Sequence, residues 1–488
     1  MTASTTQESI VGNLHRLAET APDAIAITCG DESITRGELD RRSSRLARAY
    51  QERGVTPGSI VGILLPNSIE FLAAEIAVWK CGASPLPLSV QQPPRERDAI
   101  IALAEPSLVV GATEEQSAGF PSVPPGFEPE SALSDDFVDA GAAAVWKVTM
   151  SGGSTGRPKL IVAEQPALRP TTEGFARLLG MSDDGTAVIT GPLFHNAPFL
   201  SSICALTVGA RVVLMPRFEA EETLRLIDRY RADWLYVVPT MMSRIARLPE
   251  EVRARYDIDS LNVVMHMAAP CPEWLKREWI SWLGDRIWEV YAATEVQAVT
   301  LVTGEQWLEK PGTVGRPIIG ELRILDGDGR AVEAGEVGEL WMRRGPGLSA
   351  PYRYIGAEAK IGDDGWESVG DLGRIDEDGY LFLADRESDM FVVGGANVYP
   401  AEIENALSEH PLVRSAVVIG LPHEDLGSVP HALVELADEV SDDELREFLG
   451  ERLTRYKIPR TFERVDGQIR DDAGKVRRAQ LRAERVGG

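Results

Sequence analysis

Cysteine is scarce in this chain: Cys29, Cys81, Cys204 and Cys271 are the four in 488 residues, and they lie far apart. No C-x-x-C pair occurs, so the pattern is neither a zinc site nor a disulfide framework, and it suits a reducing compartment. Basic charge is short as well. Fifty Lys and Arg against 75 Asp and Glu leave a formal net charge of −25. That balance argues against nucleic acid, whose phosphates want a basic face, and against docking on an anionic membrane. Its plain consequence is solubility. Long apolar runs are missing too: none approaches the roughly 18 residues of a membrane span. The opening MTASTTQESI has no basic-then-apolar signal region. The expectation is a cytoplasmic protein, monomer or homodimer, whose partners are small molecules.

What the chain does have is an ordinary globular composition, 44% apolar and 7% aromatic. Its length suits about three average domains, or one large and one small. Between residues 34 and 110, ITRGELDRRSSRLARAYQERG reads as an amphipathic helix and SIVGILLP as a buried strand. SIEFLAAEIAVWKCGASPLPL reads as a helix leading into another strand. This is the rhythm of βαβ units and a mostly parallel sheet. PSVPPGFEPE (121–130) reads as a loop. A second βα region spans about 186–300. Past 320 come short strands and turns, including DGDGR and DEDG, which read as hairpin turns rather than calcium loops. The last hundred residues form a small α+β unit, with Pro400 in a first helical turn and a Ser441/Glu444 capping box. The expected architecture is α/β: a large N-terminal domain over 1–387, with βαβ subdomains and a small β-rich one, then a small mobile α+β domain over 388–488.

The stretch TMSGGSTGRPKL (149–160) poses the functional question. AAAVWKVTM before it and KLIVAE after it both read as strands, so the loop is not the strand–loop–helix of a Walker motif. Arg157 and Pro158 also break the G-x-x-x-x-G-K-[ST] spacing. Consecutive small residues still leave backbone N–H groups free to converge on an anion. The Ser151, Ser154 and Thr155 hydroxyls add donors and Lys159 adds charge, so a plain turn and a phosphate site both fit. GPGLSA (345–350) matches a dinucleotide fingerprint in letters only, because Pro351 and YRY follow it and no helix does.

Further stretches tip the balance: YAATE (291–295), GDL (370–372), DRESDM (385–390), GGANVYPAEIE (394–404) and DDAGKVRR (471–478). Their order and spacing resemble the adenylate-forming superfamily: acyl-CoA synthetases, luciferases and the adenylation domains of peptide synthetases. The resemblance covers nearly the whole chain. SGGSTGRPKL, HMAAPCPEWLKREW and YRYIGAEA look most like bacterial bile-acid or long-chain acyl-CoA ligases, and like the amide bond synthetases of actinobacterial natural-product pathways.

The resemblance implies that a carboxylate attacks the α-phosphate of ATP and expels pyrophosphate, a reaction governed by positioning and charge neutralisation. It assigns Ser151, Gly152, Gly153, Ser154, Thr155, Gly156 and Lys159 to the β- and γ-phosphates. Thr294 would bond the α-phosphate and Glu295 would bind Mg²⁺. Tyr291 would stack on adenine beside Ala268, Ala269 and Pro270. Asp371 would hold the ribose hydroxyls and Arg386 would reach the same ribose. Taken singly, Tyr291 and Thr294 are ordinary strand-end residues and Asp371 is turn chemistry. Lys475 would swing in to bridge the carboxylate and α-phosphate, lowering that barrier selectively. Ser388 matches the hinge, where Asp or Lys is commoner, and Gly394 and Gly395 would line the acceptor passage.

Amino-acid-activating relatives carry an Asp near GPLFHNAPF; here Phe194, His195 and Asn196 stand there, which disfavours an α-amino acid. Phe199, Val238, Met241, Met267, Ala292 and Val299 are the expected walls of an apolar acyl pocket, although Met and Phe also serve as plain core. The expected substrate is an aromatic or other hydrophobic acid. The acceptor is expected to be the CoA thiol, ahead of a free amine, and His195 is a candidate base for the amine route or a pocket-lining residue. A reading of another class is a non-catalytic paralogue that binds nucleotide or acid; Glu295 and Lys475 speak against it. The Arg-rich stretch 452–485 reads as solvated surface.

Overall fold

The computed structural model describes residues 8–152, 158–348, 350–471 and 474–486. By compactness the chain divides into two units. The first comprises Met1–Val237, Arg247–Met265 and Ala350–Ala359; the second comprises Val238–Ala246, His266–Ser349 and Lys360–Gly488. The expected boundary at Ser388 lies inside the second.

In the first unit, neighbouring strands run in the order Trp234–Val237, Thr186–Ile189, Arg211–Leu214, Ile25–Cys29 and Glu32–Thr35. All these pairings are parallel except the last, between Ile25–Cys29 and Glu32–Thr35. A second, parallel sheet orders Ser84–Pro87, Ile60–Ile63, Leu108–Val110 and Ser122–Val123. Ser122–Val123 falls in the stretch expected to be loop: two residues suffice for an edge strand before the prolines end the ladder. Helix Arg36–Gln51 opens with a full capping box, Glu38 N–H donating to Thr35 Oγ1 at 3.2 Å and Thr35 N–H to the Glu38 carboxylate at 2.9 Å. Helix Ile69–Lys80 buries every residue but Glu70, which is why it carries no polar stripe. A third sheet is antiparallel: Tyr352–Ile355, Pro158–Ala163 and Lys147–Gly152.

In the second unit, Ile287–Ala292, Val299–Val302 and Arg316–Ile319 pair antiparallel. The region past 320 is the expected β-rich subdomain, with strands Glu321–Leu325, Gly338–Arg343, Glu367–Ile375, Lys360–Ile361 and Leu381–Arg386. DGDGR and DEDG are the turns of its hairpins, closed by Asp326 N–H to Arg330 O and Asp376 N–H to Tyr380 O. The last hundred residues build a sheet from Ala396–Val398, Phe391–Val393, Gly427–Leu436 and Val413–His423, with Thr461–Arg464 added in parallel. Helices Pro400–Ser408 and Asp442–Gly450 bury Ile403, Leu407, Leu445 and Leu449 in that sheet's core. Ser441 accepts from Glu444 N–H at 3.2 Å, but the Glu444 carboxylate lies 4.0 Å from His410, so half of the expected capping box forms. Among the described residues no helix is long and apolar enough to cross a membrane.

Candidate active site

The Ser/Gly-rich loop does join two strands. Lys147–Gly152 and Pro158–Ala163 form an antiparallel hairpin in which Ser151 faces Lys159 and Gly152 faces Pro158 in the backbone register. Gly153, Ser154, Thr155 and Gly156 lie outside the described residues, and so do the side chains of Ser151 and Gly152. The Lys159 ammonium stands 4.1 Å from the Tyr354 ring centre, a cation–π contact across the same sheet.

His195 is the N-cap residue of helix Asn196–Thr207 and lies half-buried against Phe194, with ring centres 4.2 Å apart. The next residue, Asn196, accepts a hydrogen bond from the buried Lys147 ammonium through its side-chain oxygen. Lys147 also faces the Trp146 and Phe199 rings at 4.4 and 5.8 Å. Burial pulls its pKa down to about 7, with the nearby Cys204 and Glu75 acting in the opposite direction. Burial likewise holds the Glu75 carboxyl well above its ordinary range. This buried pair was missed in the sequence, although a lone Lys inside AAAVWKVTM was a signal. Trp79, Trp146 and Lys147 surround Phe199, and none of its surface is exposed. Ring-on-ring packing fills its volume on those sides.

Most of the remaining expected residues belong to the second unit. Asp371 and Arg386 are direct cross-strand partners in the antiparallel register of Glu367–Ile375 with Leu381–Arg386, which puts both side chains on one face. Arg386 Nε lies 3.3 Å from Asp371 Oδ1. From strand Ile287–Ala292, the Tyr291 hydroxyl donates to Asp371 Oδ2 at 2.5 Å. Burial, reinforced by Asp371, holds the Tyr291 pKa well above its usual value, so the phenol stays protonated as a donor. The Asp371 charge in turn raises the pKa of Arg386. Thr294 and Glu295 occupy the turn after this strand, closed by Val296 N–H to Ala293 O at 3.0 Å; Glu295 is buried and Thr294 half-buried.

Ala268 adopts φ +77°, a left-handed conformation unusual for alanine, and turns the chain through Ala268–Pro270. A Cβ built on Gly474 would stand 3.5 Å from Ala269 Cβ, so the Lys475 loop passes alongside this turn. Lys475 itself stays open to solvent yet is crowded by protein. That crowding lowers its pKa; Asp471 raises it, Arg386 lowers it and Glu295 raises it again. Lys475, Arg386 and Glu295 thus share one electrostatic neighbourhood. Glu289, two residues before Tyr291 on the same strand, joins a buried ion pair, Lys276 Nζ to Glu289 Oε2 at 2.5 Å, with His266 Nε2 3.8 Å from the same oxygen. Burial and Lys276 keep His266 far below its usual pKa, hence neutral.

Of the other apolar positions expected to wall a pocket, Val238 has no exposed surface and Met241 and Val299 have 2% each. Met267 is half-buried and Ala292 exposed. Ser388 is exposed between Arg386 and Asp389, whose backbone N–H donates back to Arg386 O at 3.0 Å. Gly394 and Gly395, at φ +56° and +88°, make the exposed two-residue turn between Phe391–Val393 and Ala396–Val398. One expectation fails plainly: Arg470 and Arg478 are not solvated, having side chains only 18% and 16% exposed, and both bond Glu404.

Comparison with known proteins gives this geometry its setting. A family model described as AMP-binding enzyme matches residues 14–353, and one described as AMP-binding enzyme C-terminal domain matches residues 402–475. A 2-succinylbenzoate–CoA ligase of Bacillus licheniformis is 31% identical over 489 residues, spanning 96% of this chain and 98% of its own. A feruloyl-CoA synthase of Amycolatopsis sp is 32% identical over 484 residues, spanning 96% and 97%. The solved amide bond synthetase McbA from Marinactinospora thermotolerans matches with a TM-score of 0.81 at 26% identity, spanning 98% of this chain and 99% of its own. Two family models in their proper order and relatives matched end to end leave one conclusion: this chain belongs to the AMP-binding enzymes of the adenylate-forming superfamily and is an AMP-forming acid ligase.

Proposed function

We propose that the enzyme activates a hydrophobic or aromatic carboxylic acid as its acyl adenylate and hands the acyl group to the thiol of CoA. The observation that carries this reading is the convergence of Tyr291, Asp371 and Arg386 with Lys475 and Glu295 in one unit. The acid's carboxylate oxygen attacks the α-phosphorus, the bond to the bridging oxygen breaks, and pyrophosphate leaves. Asp371 and Arg386 hold the ribose, Tyr291 packs on adenine against Ala268–Pro270, and the Ser151–Lys159 hairpin takes the β- and γ-phosphates. Thr294 donates to the α-phosphate. Lys475 neutralises charge that builds on the oxygens between carboxylate and phosphorus, an effect confined to this step.

Glu295 suits Mg²⁺: its carboxylate is a hard oxygen donor at 7% exposure. The described residues contain no cluster of three or more His, Cys, Asp or Glu able to hold a metal. An ion that arrives with the phosphates needs only one protein carboxylate. When bound, Mg²⁺ offsets the negative charge of the phosphate oxygens.

In the second step the CoA thiolate attacks the acyl carbonyl and AMP leaves. Rotation about Ser388 removes Lys475 and opens the passage beside Gly394–Gly395 to the acceptor. The CoA assignment draws on the relatives that are CoA ligases. Transfer to a free amine is the second reading, favoured by the likeness to McbA; there His195 takes the proton from the attacking amine. Supplying acid and ATP with either CoA or a primary amine separates the two. Thioester that forms only with CoA is the expected product, and amide formed without CoA overturns the CoA assignment.

A further inference from the structure

Glu404, in helix Pro400–Ser408, is a carboxylate with only 8% of its surface exposed. Its Oε2 accepts from Arg470 Nη2 at 2.6 Å; its Oε1 accepts from Arg478 Nη2 at 2.7 Å and from Val418 N–H at 2.8 Å. The two arginines flank the loop that carries Lys475. Arg470 also donates to Gly474 O at 3.2 Å and to Ala416 O at 2.9 Å, while Arg478 Nη1 reaches Asp389 Oδ2 at 2.9 Å. Between them the loop closes on itself. Asp471 N–H donates to Lys475 O at 2.9 Å, Gly474 N–H to Asp471 O at 2.8 Å, and Lys475 N–H to Asp471 Oδ1 at 2.8 Å.

We propose that Glu404 is a positioning residue for adenylation: by clamping Arg470 and Arg478 on either side of the loop, it sets where Lys475 presents its ammonium. The hydrogen bonds among Asp471, Gly474 and Lys475 close the loop, and Ile469 and Val476 pack beside it against Val417, Ile419 and Leu433. The arginines add directional ties to the sheet and to Asp389 at the hinge. A buried carboxylate that holds one guanidinium on each oxygen, with each guanidinium bonded onward, is directional in a way that a solvated tail would not supply. Small misplacement of a group that acts only in the transition state is costly, so the clamp acts on turnover more than on nucleotide binding. The inference rests on the proposed role of Lys475.

The test is Glu404→Gln, which keeps the shape and removes the charge. Acid-dependent exchange of pyrophosphate into ATP should lose about 100-fold in kcat, with the KM for ATP moving no more than about twofold. Amide hydrogen exchange of the full-length protein supplies a readout that needs no known acid. Protection at Gly474 and Lys475 should fall about tenfold, while strand Gly427–Leu436, which the clamp does not bond, keeps its own. Arg470→Lys retains charge and loses the fork; it should show the same pattern more mildly, and it serves if the glutamine variant folds poorly. Unchanged loop protection, or strand and loop losing protection together, overturns the clamp. If instead Lys475→Ala keeps wild-type exchange, the lysine assignment is what fails, and the loop protection still judges Glu404.

Discussion

Lys475 and Asp371 are the side chains on which the proposed chemistry is most exposed to test. Removing a donor aimed at transition-state charge costs about 100- to 1,000-fold, so Lys475→Ala should lower pyrophosphate exchange by that much and leave ATP binding in place. The same lysine predicts a pH limb. Its pKa lies below the ordinary 10.5 because the protein crowds it, and the cation is the active form. Adenylation should therefore fall on the alkaline side before pH 10.5, and Lys475→Arg should move that limb upward. A rate flat to pH 10.5 in the wild type would contradict the assignment. Asp371 accepts from Tyr291 and pairs with Arg386. A charge-assisted hydrogen bond contributes about 1.5–3 kcal/mol, so Asp371→Asn should raise the KM for ATP by roughly 10- to 100-fold; steady-state kinetics with ATP varied checks it. These residues were legible because each sits in a short ordered motif. Lys147 and Glu75 were not: what makes them unusual is burial, and burial depends on packing between segments 72 residues apart (147 − 75).

At the scale of elements, the hairpin around the Ser/Gly loop and the turns at DGDGR and DEDG were readable because period-two patterns and turn residues are local. The edge strand Ser122–Val123 was not, since two residues carry no periodicity. The arginines of the C-terminal stretch were read as solvated for a related reason: the Glu404 that covers them stands 66 and 74 residues away. That network also sets an acid response. Despite burial, Arg470 and Arg478 hold Glu404 below its ordinary 4.5. Below pH 4.5 the unfolded chain takes up a proton that the folded one resists, so stability falls as pH drops toward the folded pKa. Urea midpoints measured from pH 5.5 to 3.5 should show this slope in the wild type and a weaker one in Glu404→Gln. Equal slopes would mean that the pair carries no such linkage.

For the whole molecule, the βαβ rhythm gave the fold class and the resemblance carried by the ordered motifs pointed to an enzyme that splits a nucleotide; full-length likeness to CoA ligases and an amide synthetase agrees. Acid and acceptor were less legible, because pocket walls are ordinary apolar residues whose exposure depends on long-range packing. Phe199, enclosed by two tryptophans, illustrates the point. The central claim is that a carboxylic acid is adenylated here, and pyrophosphate exchange reads that step directly. With labelled pyrophosphate, ATP and Mg²⁺, a panel of aromatic and aliphatic acids should give label in ATP only when a hydrophobic acid is present. The signal should vanish in Lys475→Ala. Label entering ATP without any acid, or none with any acid while ATP still binds, would contradict the account.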